Sequence, residues 1–145
     1  MHYARTHSAT ATSLIRPAGE CYGLELVDLS NNKISIIGSA AVAEMIERTD
    51  HLETLNLSWN QLRPTGCARV IRALTENQTL HRLGLAWNGA GSSVMLLEQV
   101  LSGDGSELVE IDISSNSIGE REAQVRLSAL TPQQPPKQPF NWPKP

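Results

Sequence analysis

His81 beside Arg82 is the pair best suited by residue type to move a proton, because an imidazole can exchange one near neutral pH. General acid–base work also needs a nucleophile or a second carboxylate at a matching position, and none stands there. His81 therefore reads as a surface histidine. The stretch Asn88-Gly-Ala-Gly-Ser-Ser has the glycines of a phosphate loop but not its lysine, and reads as a shortened turn. Cys21 and Cys67 lie 46 positions apart without CxxC or Cys/His spacing, which predicts two free thiols rather than a metal site or a disulfide framework. The sequons Asn56-Leu-Ser58 and Asn77-Gln-Thr79 matter only in a secretory chain and read as chance. No catalytic residue, cofactor or metal is expected.

Trp59 and Trp87 are different, because they stand 28 positions apart and that interval runs through the chain. The spacing LxxLxLxxNxL occurs four times, with first leucines at 24, 52, 80 and 108. A fixed period of this size marks a solenoid, in which no unit buries its apolar side alone and stacked units share one core. Positions one, four and six of a copy cannot share one face of an ideal strand. The chain must extend and then curve inward through the asparagine, which turns Leu52, Leu55, Leu57 and Leu62 to the core. Asn32, Asn60, Asn88 and Asn116 fall at the bend, where an amide donates and accepts at once. Stacked, these four form a structural ladder.

These residues resemble leucine-rich repeats of the ribonuclease-inhibitor type. The resemblance covers residues 24 to about 130 and extends into the helical half of two units, where GxxxLxxxL is met by Gly38, Val42, Ile46 and by Gly66, Val70, Leu74, with Asn77 beyond. In unit three Val94 replaces the glycine, and the helix anchors come one residue early, at Leu97 and Leu101. Unit four has Glu122 there. The expected fold is α/β, a leucine-rich repeat solenoid forming a right-handed horseshoe arc with parallel concave strands and convex helices. Helices are predicted over 39–48, from Pro64 to about 74, over 93–103 and over 120–130.

The domain plan follows: a disordered or weak N-terminal cap over 1–20, repeats over 21–130 and a Pro-rich disordered tail over 131–145. The first 20 residues carry only Leu14 and Ile15 to cover the first strand, and their two arginines with no acid before Glu20 faintly resemble a transit peptide. The strand with Leu24, Leu26, Val27 and Leu29 is thus expected to be an exposed edge, which suggests a fragment or isoform of a longer scaffold or sensor protein, or pairing with a partner. The tail holds six of the eight prolines, and Pro132, Pro135 and Lys137 fit the PxxPxK pattern that docks SH3 domains. Phe140 and Trp142 are apolar residues available to fold back on the last repeat.

A net charge of -3 and a pI near 5.8 give no basic field, so nucleic acid and anionic membranes are not expected partners. No apolar run approaches a membrane span, and no signal-peptide segment opens the chain, so a cytoplasmic protein is expected. The concave columns are the readable surface. They offer Glu25, Asp28, Glu53, Asn56, Trp59, Arg82, Trp87, Glu110 and Asp112 as protein-binding residues, five acids against one arginine. Asp28 and Asp112 share a column but stand three strands apart, about 14 Å, too far to pair or to share a metal. The two indoles, one strand apart, are expected to stack. This predicts a non-catalytic interaction module whose partner is basic. The alternative that the resemblance implies is a regulator of a small GTPase, since Ran activators share the repeat.

Overall fold

In the computed structural model, residues 3–5, 24–102 and 107–119 are described. Five strands among them form one parallel sheet in chain order: β1 (Tyr3–Arg5), β2 (Leu26–Asp28), β3 (Thr54–Asn56), β4 (Arg82–Gly84) and β5 (Glu110–Asp112). From β2 onward the register equals the sequence period, Leu26 on Thr54 on Arg82 on Glu110. Among the described residues three helices and one 3-10 segment lie between the strands from β2 onward: α1 (Gly38–Arg48), α2 (Arg63–Ala73), a 3-10 turn over Gly91–Met95, and α3 (Leu96–Leu101). The α/β repeat solenoid expected from the spacing is the fold observed.

The core lies between sheet and helices. Leu29, Leu57 and Leu85, the sixth position of three successive units, are 1%, 0% and 0% exposed and stack as a column. Val42 and Ile46 of α1, Val70 and Ile71 of α2 and Leu97 of α3 close it from the helical side, each fully buried. Each such side chain contributes roughly 1.5–3 kcal/mol by leaving water. In unit four Ile111, Ile113 and Ile118 are only half-buried.

The two helix glycines are set by close approach. A Cβ on Gly38 would meet Ile34 Cγ2 at 2.8 Å, and one on Gly66 would meet Leu62 Cβ and Ser39 Cβ at 3.2 Å. That approach is closed to Val94, the corresponding residue of unit three. There the segment winds first as a 3-10 turn and becomes α-helical only at Leu96, so the buried anchors are Leu97 and Val100 while Leu101 is half-exposed. This corrects the helix expected from 93 with Leu101 as an anchor.

The second correction concerns the sheet edge. β1 pairs in parallel with β2, Tyr3 on Leu26 and Arg5 on Asp28, so the strand expected to be uncovered has a neighbour. Its offset is 23 positions rather than 28, and its residues carry no leucine pattern, so periodicity could not find it. The expected helix over 120–130, the SH3-type motif, Phe140, Trp142 and Cys21 lie outside the described residues.

Cys67, on the inner face of α2, is fully buried, and desolvation pushes its thiol up from 9.0 to about 12. The unfolded chain ionises this thiol first, so its contribution to stability is complete below pH 9 and is lost as pH rises toward 12, by at most about 1.4 kcal/mol per pH unit. With Cys21→Ser, Cys67 should resist a thiol reagent at pH 8 until denaturant unfolds the chain, measured by the absorbance of released chromophore. Rapid labelling in buffer would refute the burial.

Candidate protein-binding face

β2, β3 and β5 leave the sheet through the same turn, and the side chain at the fifth position makes it; in β4 that position is Gly84. Asp28, Asn56 and Asp112 each accept, through Oδ1, the backbone N–H two residues on, from Ser30, Ser58 and Ser114, all at 3.0 Å. These side chains fold back on their own backbone, which pulls them away from solvent. Asp28 and Asn56 are 1% and 2% exposed. The expectation that position five projects as open surface is therefore corrected for these two, whereas Asp112 is half-buried.

The asparagine ladder holds the next bend. Asn60 Oδ1 accepts the N–H groups of Asn32 (3.1 Å) and Ile34 (2.8 Å), and its Nδ2 donates to the carbonyls of Leu29 (2.9 Å) and Leu57 (2.8 Å). Asn116 repeats this one unit on. It accepts from Asn88 and Ala90 and donates to Leu85 and Ile113. Asn88 donates to Leu57 and Leu85 and accepts from Leu62 at 3.4 Å. Asn77 performs the same service on the helical side, donating to Ile46 at 2.7 Å and accepting from Leu80 at 2.7 Å. Asn56 and Asn77, the two sequon asparagines, are both buried.

Between the fifth position and the ladder stands position eight, and here the backbone is left-handed in every unit: φ is 57° at Asn31, 61° at Trp59, 56° at Trp87 and 55° at Ser115. Asparagine tolerates this region; a bulky aromatic does so at a cost of roughly 1 kcal/mol or more. The backbone is pinned by unit-to-unit bonds, Trp59 N–H to the Ala86 carbonyl at 2.8 Å and Trp87 N–H to that of Ser114 at 3.1 Å. The indoles stack as the spacing predicts, with centroids 4.5 Å apart and planes 15° apart. They remain 42% and 51% exposed.

Replacing Trp59 tests the strain directly. Trp59→Gly should be more stable than Trp59→Ala by about 1 kcal/mol, the reverse of the order in a helix, because glycine adopts positive φ freely. Equal melting temperatures for the two variants would refute it.

At the other end of the strands, position two of three units and the loops before them line a shallow hollow of Glu25, Asp50, His51, Glu53, Gln78, Thr79 and His81. Glu53 is exposed, while Glu25 and His81 are half-buried. Sequence reading placed Glu25, Glu53 and His81 there but missed Asp50 and His51. The signal was present, since 50 and 78, like 51 and 79, are one period apart. Across the middle, Arg82 Nε lies 3.7 Å from Glu110 Oε2. Asp28 and Asp112 are separated by Asn56 and Gly84 in the register, as expected. Among the described residues no group of His, Cys, Asp or Glu is arranged to hold a metal ion, and no helix is long and apolar enough to cross a membrane.

Residues 50–69, which include the second repeat's strand and turn, match the family described as Leucine Rich repeat. Solved structures share the fold, and two illustrate the likeness. The tropomodulin C-terminal domain of Caenorhabditis elegans superposes with a TM-score of 0.74 at 21% identity, over 90% of this chain and 82% of that one. Leiomodin-1 Actin-Binding Site 2 gives 0.73 at 21% identity, over 90% and 79%. No curated protein sequence matches the chain. Neither neighbour is named for action on a GTPase. A period held in both sequence and sheet register, a ladder of bend asparagines and these neighbours agree: the chain has a leucine-rich repeat fold.

Proposed function

We propose that this chain is a non-catalytic protein-binding module whose partner docks on the concave strands and the tryptophan rim. One observation carries the reading: two stacked, half-exposed indoles are held at backbone positions where tryptophan is strained and asparagine or serine serves the other units. Strain kept at an exposed aromatic pair points to what the side chains touch outside the fold. Tryptophan is also enriched among residues that dominate binding energy. The exposed or half-buried acids Glu25, Glu53, Glu110 and Asp112 favour a partner that is basic over the contact, by steering it and by relief of like-charge crowding. A solved structure of the same fold is an actin-binding site of leiomodin-1, so actin is the first partner to assay, followed by affinity capture.

Trp59→Ala with Trp87→Ala should weaken the captured partner by 2 kcal/mol or more, about thirtyfold, chiefly through faster dissociation in surface plasmon resonance. Glu47→Ala and Arg72→Ala, on the helical side, should leave binding unchanged. Crosslinks from the partner to that side, with binding indifferent to both tryptophans, would place the interface elsewhere.

A further inference from the structure

The segment running through β3 carries a series of groups pointing to one kind of occupant. At one end Glu53 is exposed and lines the hollow with Glu25 and Asp50, and at the other Trp59 stacks on Trp87. Between them Asn56 Nδ2 and Ser58 Oγ are buried without a hydrogen-bond partner. Neither the asparagine ladder nor the fifth-position turns use these two atoms; the turn at Asn56 engages its Oδ1. A buried donor left unmet costs roughly 1–3 kcal/mol, a debt that an added carbonyl cancels. From position two to position eight is six residues, at most about 20 Å of chain, and less because the backbone turns after Asn56. An extended segment of six or seven residues spans the same length.

We infer that the partner's contact is one extended basic segment lying along β3, with an apolar residue against the Trp59–Trp87 stack and a lysine or arginine among Glu25, Asp50 and Glu53. One of its backbone carbonyls meets Ser58 Oγ after a rotation of that short side chain, while Asn56 keeps its Oδ1 on the Ser58 N–H. The inference rests on the binding reading above and adds the form, charge and spacing of what is bound. Charge complementarity selects a basic segment over a neutral or acidic one, because three carboxylates line the hollow and, among its described residues, the other ionisable groups are His51, whose Nε2 lies 3.3 Å from Asp50 Oδ1, and His81. The separation of the two ends selects an extended segment over a single basic residue.

The test uses the full chain and three fluorescein-labelled peptides read by anisotropy. One has a Pro-Pro and a Lys-Lys pair separated by five Gly/Ser residues, one has the pairs adjacent, and one has Glu-Glu in place of Lys-Lys. The spaced basic peptide should bind at least about tenfold tighter than the other two. Glu53→Gln should weaken that peptide about fivefold yet leave a peptide with Pro-Pro alone unchanged, whereas Trp87→Ala should weaken both. Equal affinity for the three peptides, or indifference to Glu53→Gln, overturns the inference. A captured protein that still depends on Trp59 and Trp87 while the peptides are insensitive to spacing would leave the binding face standing and remove only the extended occupant.

Discussion

Asn60→Ala is expected to lower the stability of the chain by about 3–5 kcal/mol, far beyond the roughly 0.5 kcal/mol of an ordinary surface change. The substitution takes the acceptor from the N–H groups of Asn32 and Ile34 and the donor from the Leu29 carbonyl. The Leu57 carbonyl suffers less, because Asn88 Nδ2 also donates to it at 2.8 Å. Three backbone groups thus lose a bond in a buried bend, each at roughly 1–3 kcal/mol, with some relief from local relaxation. Asn60→Asp separates the two halves: it keeps an acceptor for Asn32 and Ile34 but loses the amide donor to Leu29 and adds a charge. Denaturant melts should rank Asn60→Ala and Asn60→Asp well below Glu47→Ala. A midpoint for Asn60→Ala equal to that of Glu47→Ala would mean the ladder contributes nothing to stability.

The repeat could be read because one physical demand, stacking, imposes the same residues every 28 positions. Leu55, Leu83 and Asn88 were legible without any structure, as was the meeting of Trp59 with Trp87, since register equals period. What escaped was whatever departs from that demand. β1 pairs through backbone groups, which any sequence possesses, so Tyr3–Arg5 carries no mark of its role. Val94 was visibly out of pattern. That it forces a 3-10 turn before α3 follows only from the close contacts at Gly38 and Gly66.

The candidate face was legible as columns but not as exposure. Alternation placed Asp28 and Asn56 outside the core, and they are outside it; what alternation cannot convey is that a short carboxamide or carboxylate at a strand end turns back on the next N–H. Position eight held the opposite lesson. A left-handed residue is invisible in a single copy, yet Asn31 and Ser115 at the places equivalent to Trp59 and Trp87 hint at a turn.

Leu57→Ala should cost on the order of 2–5 kcal/mol, and comparison with Ile113→Ala shows why position along the solenoid matters. Both residues occupy the sixth position of their units. Leu57 is fully buried, flanked in its column by Leu29 before and Leu85 after, so a cavity there has packed walls on both sides and little freedom to collapse. Ile113 is half-buried, and truncating it removes less contact and leaves a space open to water. Because each unit contacts only its neighbours, a defect at Leu57 weakens the interfaces on either side of unit two. A small domain has about 5–15 kcal/mol of stability in all, so this one truncation removes a large fraction of it. Urea melts followed by circular dichroism should give a loss for Leu57→Ala at least twice that for Ile113→Ala. Equal losses would show that burial in the column does not set the energetics of the repeat.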